Sequence, residues 1–349
     1  MTAALRVVAP GLLTTLQDLG RVGYQHLGVP VSGALDHVSL RAANLLVGNP
    51  PDVAALEVAY QGPTLVVEAD SARIALVGGQ APVEVLPPEG DESAPRRLAC
   101  FESARLVRGQ RVRVGGLVGS AMLYLAVEGG FAVPPVLGSR STLIRGAIGG
   151  YHGRALRAGD VLPLKLGAAP ERGEVMLPPI DLGPRPRVRI VLGPQDDHFT
   201  SAGLEALLAS TYTIAQASDR MGMRLEGPKL EHSAKGYNIV SDGIAPGSVQ
   251  VPGNGLPIIL LADRQTTGGY PKIATVISAD LPALGRMAPG ARVAFQAVSI
   301  EEAETAARQF GREIAAMAEA LGPARREPWL DEARLMDANL VSGVVSARD

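Results

Sequence analysis

The chain has 349 residues, 33 Lys plus Arg against 35 Asp plus Glu, and a formal net charge of −2. Aromatic residues make up only 4% of it. This excludes a surface built for nucleic acid or an anionic membrane, because neither a clustered positive field nor a stacking platform is available.

At 46% hydrophobic the chain has ample material for a core, and its length suggests two domains. The first informative stretch is TTLQDLGRVGYQHLGVPVSGALD (14–36). Gln17, Asp18 and Arg21 lie close together there, broken by Gly20 and Gly23, and either pair within a loop or serve a ligand. Ser32, or Ser32 with Gly33, is expected to cap a helix over Asp36–Val47. TLVVE (64–68), RIALV (73–77), PVEVL (82–86), RVRV (111–114) and MLYLAV (122–127) then read as strands. LGSRSTL (137–143) offers the hydroxyls of Ser139, Ser141 and Thr142 and the cation of Arg140, a set that suits a carboxylate or plain turn chemistry.

Residues 166–186 carry five prolines and little periodicity, as an extended connector does. The expected units are therefore 1–165, the linker 166–186, a second unit 187–322 and a tail 323–349. After the linker, RVRIVL (187–192), PIILLA (257–262), IATVISA (273–279) and RVAFQAV (292–298) read as strands, and Phe199–Ala209 as a helix. The long loop 241–257 holds Asp242, Gln250 and Asn254, and long loops in compact domains tend to carry function. It is followed by DRQTTGGYPK, which gathers Asp263, Gln265, Thr266, Thr267, Tyr270 and Lys272 around Gly268 and Gly269. The two glycines are expected to use positive φ to let a ligand approach the backbone. A last helix is expected over 300–321, opened by a Ser299/Glu302 capping box, closed by Gly322-Pro323, and packing an apolar stripe on a barrel.

Two internal echoes suggest related halves. Helix, strand, Gly-Pro and an apolar residue recur in order over 36–65 and 199–230. The spacing apolar-x-x-Gly-x-x-apolar occurs at Leu106/Gly109/Val112, Leu156/Gly159/Leu162 and Met287/Gly290/Val293. Many short strands with Gly and Pro turns point to two β-barrels rather than a βαβ sheet.

Cys100 is the single cysteine, which excludes an intrachain disulfide and a multi-cysteine zinc site; it is expected to be a small buried hydrophobe. The five histidines have no metal-ligand spacing, so no metal site is evident. No signal-peptide pattern opens the chain and no apolar run reaches the ~18 residues of a membrane span, so a cytoplasmic protein is expected. Phosphate-binding glycine loops and the G-x-S-x-G elbow are also missing. The remaining kit of carboxylates (Asp18, Asp242, Asp263), cations (Arg21, Lys272) and hydroxyls suits a small polar acid or amide and proton transfer.

The segments T-x-Q-D-x-G-R-x-G with G-V-P-x-S-G-A-x-D (15–36), LGSRST (137–142), DRMGMRLEGP (219–228), SDGIAPGSVQVPGNGLPI (241–258) and DRQTTGGYPKIATVISADL (263–281) together resemble one family. It is the biotin-dependent carboxyltransferase-like, or allophanate hydrolase subunit 2, family. The resemblance implies two tandem cyclophilin-like β-barrels. It implies an allophanate hydrolase subunit 1-like partner, also called the 5-oxoprolinase B-subunit, with an A-subunit completing the enzyme. It implies a role as the C-subunit in ATP-dependent opening of 5-oxoproline to glutamate, with ATP used by a partner. The alternatives it leaves are a carboxyltransferase component acting on urea or a related amide, and a non-catalytic partner of a kinase inhibitor. On this reading Asp18, Asp242 or Asp263 is the base and Arg21 and Lys272 stabilise negative charge. Gln17, Ser139, Ser141, Thr142, Gln250, Gln265, Thr266, Thr267, Gly268, Gly269 and Tyr270 would hold the substrate. None of the four lysines is flanked by Met, so no biotin is attached to this chain, and no Ser-Ser-Lys amidase signature is present.

Overall fold

The structure, a computed structural model, describes residues 3–178, 180, 183 and 187–324. Most of the tail assigned from the sequence, with Trp329, lies outside the described residues, as does part of the linker. The first half runs β1 (Ala4–Ala9), β2 (Leu13–Gln17), α1 (His37–Leu46), β3 (Ala55–Ala59), β4 (Thr64–Val67), β5 (Ser71–Val77), β6 (Val83–Leu86), β7 (Arg96–Leu98), β8 (Ser103–Val107), β9 (Arg111–Val114), β10 (Met122–Val127) and β11 (Val161–Pro163). A short β12 (Val175–Met176) follows in the connector. The second half runs β13 (Val188–Leu192), α2 (Ser201–Ala209), β14 (Thr211–Ile214), β15 (Gly222–Glu226), β16 (Asp242–Gly243), β17 (Ser248–Gln250), β18 (Ile258–Leu260), β19 (Thr267–Gly268), β20 (Lys272–Val276), α3 (Leu281–Gly285), β21 (Arg292–Ala297), α4 (Ile300–Ala316) and β22 (Gly322–Pro323).

The protein is mainly β, and each of the nine strand segments read from the sequence is a strand. The first half forms a six-stranded sheet, β11-β1-β4-β9-β6-β7, and a five-stranded sheet, β2-β3-β10-β5-β8. They enclose one core that includes Leu5, Leu56, Leu65, Ile74, Leu106 and Val112. Strand β10 shows why MLYLAV has no polar alternation. Leu123, Leu125 and Val127 face that core, while Met122, Tyr124 and Ala126 face α1 on the other side. The second half is a closed barrel, β13-β20-β17-β18-β15-β14-β21, filled by Ile190, Tyr212, Val249, Ile259, Ile273 and Phe295. Closure leaves no free edge among these seven strands.

The repeated glycine spacing is one repeated turn. Gly109, Gly159 and Gly290 lie at φ +83, +87 and +87. Each is the third residue of a four-residue turn closed by a hydrogen bond of 3.1–3.2 Å (Gln110 N–H to Val107 O, Asp160 to Arg157, Ala291 to Ala288). Each also donates its own N–H at 2.8 Å to a neighbouring strand, at Val67, Val7 and Ile214 respectively. Positive φ at that position is what a type II turn demands.

The helices required two corrections. Ser32 does not cap α1: the carboxylate of Asp36 accepts the N–H groups of Val38 and Ser39. The capping box of Ser299 and Glu302 opens α4 as expected, but the helix ends at Ala316 rather than 321. Beyond it, Gly322 and Pro323 pair with Met176 and Val175, which requires the chain to leave the helix. The stripe of α4 packs with α1 on the first half: Phe310, Ile314 and Met317 join that cluster, and Phe310 meets the His37 ring edge-on at 6.0 Å. Among the described residues no helix is long and apolar enough to cross a membrane.

Candidate functional site

The candidate residues separate into three groups, and the fold gives each a different task. The first group lies inside the first half, where β2 ends. Asp18 accepts four hydrogen bonds: Gly20 N–H at 2.8 Å, Ser139 Oγ at 2.6 Å, Ser141 Oγ at 2.5 Å and Arg140 N–H at 2.5 Å. Three of these fall on Oδ1 and one on Oδ2, so most of the acceptor capacity of Asp18 is used inside the protein. The serine hydroxyls of LGSRST do serve a carboxylate, and it is this one. Thr142 Oγ1 donates to Leu16 O at 2.9 Å, and Gln17 Nε2 donates to Thr142 O at 3.1 Å. Arg21 is 1% exposed and donates Nη2 to Ser141 O. Burial lowers its pKa, partly offset by Asp18 and Asp263. Among the described residues no ion pair joins Arg21 to Asp18; both instead bond to Ser141.

The second group ties the halves together. Asp263 accepts Ser32 Oγ at 2.6 Å and Arg220 Nε at 2.9 Å. Arg220 also reaches Glu57 on β3 and the carbonyl of Gly33. Glu57 in turn accepts Tyr124 Oη at 2.5 Å and the Leu35 N–H at 3.0 Å. Nearby Arg286 donates to Asp36 at 2.6 Å. Burial alone would lower the Arg220 pKa, but the charges of Glu57 and Asp263 outweigh it and raise it above its ordinary value. This buried ionic knot engages both carboxylate oxygens of Asp263.

The third group sits on the second half, around β16, β17, β19 and the start of β20. Strand β20 opens on Lys272, whose side chain is only 3% exposed and whose Nζ donates to Asp242 Oδ2 at 2.9 Å. The Asp242 side chain is 52% exposed. The Lys272 hydrogen bond, then that of the Gly243 N–H, holds its carboxyl below the usual range. Gln195 braces the pair, donating to Asp242 at 3.3 Å and accepting the Lys272 N–H at 3.1 Å. Beside them opens a cavity of about 630 Å³ lined by Gln250, Asn254, Gln265, Gly268, Gly269 and Tyr270. Gln265 Nε2 donates to Gln250 Oε1 at 3.4 Å, and Gln250 Nε2 to Tyr270 O at 3.2 Å. Thr266 gives its carbonyl to the Ile244 N–H, and Thr267 pairs with Gly243 across β16–β19.

Gly268 and Gly269 do not use positive φ; Gly268 belongs to β19. What glycine at 268 provides is space for two side-chain ends. A Cβ there would lie 2.7 Å from Ile244 Cδ1 and 2.8 Å from Gln250 Nε2. Gly268→Ala is therefore expected to displace the Gln250 amide and weaken binding of a ligand that this amide contacts about tenfold, while costing under about 1 kcal/mol in stability, because both crowded atoms end flexible side chains. Parallel binding and denaturation measurements check both effects.

Sequence reasoning missed Glu57, Tyr124, Arg220 and Gln195. Glu57 carried a signal: a lone carboxylate in the apolar segment ALEVA has to be paired if the strand is buried. Arg220 lies inside the DRMGMRLEGP motif, where nothing local gives it a role. Nothing local marked Gln195 either, which reaches its partners only through the tertiary fold.

Residues 27–297 match the carboxyltransferase domain family, subdomains A and B. The chain is 38% identical over 301 residues to the 5-oxoprolinase C-subunit of Escherichia coli, covering 86% of this chain and 93% of that protein. It is 39% identical over 292 residues to the 5-oxoprolinase C-subunit of Haemophilus influenzae, covering 83% and 89%. The crystal structure of K. lactis urea amidolyase matches 94% of this chain with a TM-score of 0.80 at 28% identity, and this chain spans 21% of that larger protein. The segments that carry the candidate site thus lie almost wholly within the matched region, and the chain belongs to the carboxyltransferase domain family, subdomains A and B.

Proposed function

We propose that this chain is the C-subunit of an ATP-dependent 5-oxoprolinase and works in complex with partners that resemble the A- and B-subunits. The observation that carries this reading is the near full-length similarity to two proteins of that name, whereas the chain matches only a fifth of the urea amidolyase. A lactam is a poor electrophile. Transfer of the ATP γ-phosphoryl group to the amide oxygen makes the ring carbon open to water; the ring C–N bond of that adduct then breaks as the nitrogen takes a proton and leaves, and a second water displaces phosphate from the resulting acyl phosphate to give glutamate. The chain contains no Walker loop, in keeping with ATP use by a partner.

In this reading Lys272 stabilises the negative charge that develops on the amide oxygen, and Asp242 with Gln195 fixes the ammonium in place. Gln250 and Gln265 present amide groups that match the lactam amide, and Thr266, Thr267 and Tyr270 border the substrate. Asp18, Gln17, Arg21, Ser139, Ser141 and Thr142 hold the 137–143 loop, and Asp263 holds the halves. This leaves Asp242 as the solvent-accessible carboxylate of the three candidates.

The test is reconstitution with both partners, ATP and 5-oxoproline, measuring glutamate. The reading expects turnover that disappears when this chain is omitted; undiminished turnover without it refutes the role. The fold shared with urea amidolyase favours one other reading, a carboxyltransferase component with biotin on another chain. Avidin-sensitive turnover of carboxybiotin with urea would select that instead.

A further inference from the structure

The cavity beside β15 combines two chemistries. Beside the amides of Gln250 and Gln265, its wall contains two guanidinium groups, Arg145 and Arg224. Arg224 projects from the outer face of β15, where exposed residues alternate with the buried Met223 and Leu225. Among the described residues no ion pair or hydrogen bond engages its guanidinium. Arg145 comes from the other half of the molecule, in the tight turn Ile144–Gly146. Its side chain is 68% exposed and, among the described residues, bonds only to Asp219 Oδ2, at 3.1 Å.

A guanidinium offers five N–H donors in a planar fork that matches a carboxylate. Arg224 has all of its donors open and Arg145 most of them. An ion pair as exposed as Arg145–Asp219 contributes little and exchanges readily. Asp219 does not depend on it, because Oδ1 already accepts the Met221 and Gly222 N–H groups at 2.8 and 3.2 Å. Asp219 and Glu226 share the same wall. Their negative charge opposes a multiply charged anion more than a single carboxylate, which favours a carboxylate over a phosphate here.

We propose that Arg145 and Arg224 together anchor the carboxylate of a small cyclic amide acid, so that this site selects acids over neutral amides. The two halves then contribute to one site: the second supplies the amide-binding groups and one cation, the first supplies the other cation. The identification of the acid as 5-oxoproline rests on the function proposed above; the anchor itself rests on the cavity.

The experiment is titration calorimetry on the assembled complex with three probes: 5-oxoproline, 2-pyrrolidinone (the same lactam without its carboxylate) and inorganic phosphate. Wild type is compared with Arg145→Gln and Arg224→Gln, both at exposed positions, with assembly and melting temperature checked in parallel. Each variant is expected to weaken 5-oxoproline binding by about 10-fold or more, as loss of a charged hydrogen bond does, and to leave 2-pyrrolidinone binding unchanged. Equal 5-oxoproline affinity in wild type and both variants overturns the anchor. So does a matching loss for 2-pyrrolidinone, an absence of 5-oxoproline binding, or tighter binding of phosphate through the same residues. If the variants lose 5-oxoproline binding as expected but the wild-type complex makes no glutamate from it, the anchor stands and the proposed reaction fails.

Discussion

Replacing Lys272 with Met is expected to lower kcat/KM for the lactam by about 100- to 1000-fold, the usual effect of removing a group aimed at developing negative charge. Assembly with the partners should persist. The side chain is buried and Met fills a similar volume, while the Asp242 carboxylate left behind is half exposed and can be hydrated. Loss of assembly instead of turnover would make this loop a docking surface. The pH profile adds a second readout. Asp242 is held below the ordinary carboxylate range by its hydrogen bond to Lys272. A depressed pKa means that the pair is intact above the ordinary Asp value and is lost only as pH falls through the lowered value. The acid limb of activity should therefore lie below the ordinary Asp range in wild type, and this limb should vanish in Asp242→Asn.

Arg220→Met is expected to lower stability by about 3–5 kcal/mol, because it leaves Glu57 and Asp263 buried without their shared cation. Chemical denaturation should show the loss, and the two halves should begin to unfold in separate transitions, since this knot is, with the Arg286–Asp36 pair, a main buried ionic link between them. Glu57→Gln combined with Arg220→Met should cost less than the sum of the two single changes, as groups in one network do. A loss below about 1 kcal/mol for Arg220→Met would show that apolar packing alone fixes the halves.

Much of the fold was legible because its signals are local. The apolar run of β10 follows from two covered faces, the glycine spacing from one type II turn used three times, and the start of α4 from Ser299 and Glu302. The candidate site was legible as a set of loops but not as a division of labour. Asp18, Asp242 and Asp263 look alike in sequence. Their partners distinguish them, and those partners lie 121 residues away for Ser139 with Asp18, 231 for Ser32 with Asp263 and 30 for Lys272 with Asp242. Gly268 likewise reads as a flexible residue in sequence, whereas in the fold it is a strand residue facing the side-chain ends of Ile244 and Gln250, which only the folded barrel brings near. The end of α4 was misplaced because the competing pairing with β12 depends on a segment that sequence treats as linker.

The most direct measurement is a crystal structure of the assembled complex with 5-oxoproline bound. The lactam is predicted to lie in the cavity lined by Gln250 and Gln265, its amide carbonyl oxygen within hydrogen-bond distance of Lys272 Nζ and its carboxylate on Arg145 and Arg224. A lactam bound wholly within a partner protein, or in the separate pocket lined by Tyr60, Met122, Arg220 and Asp263, would contradict this placement.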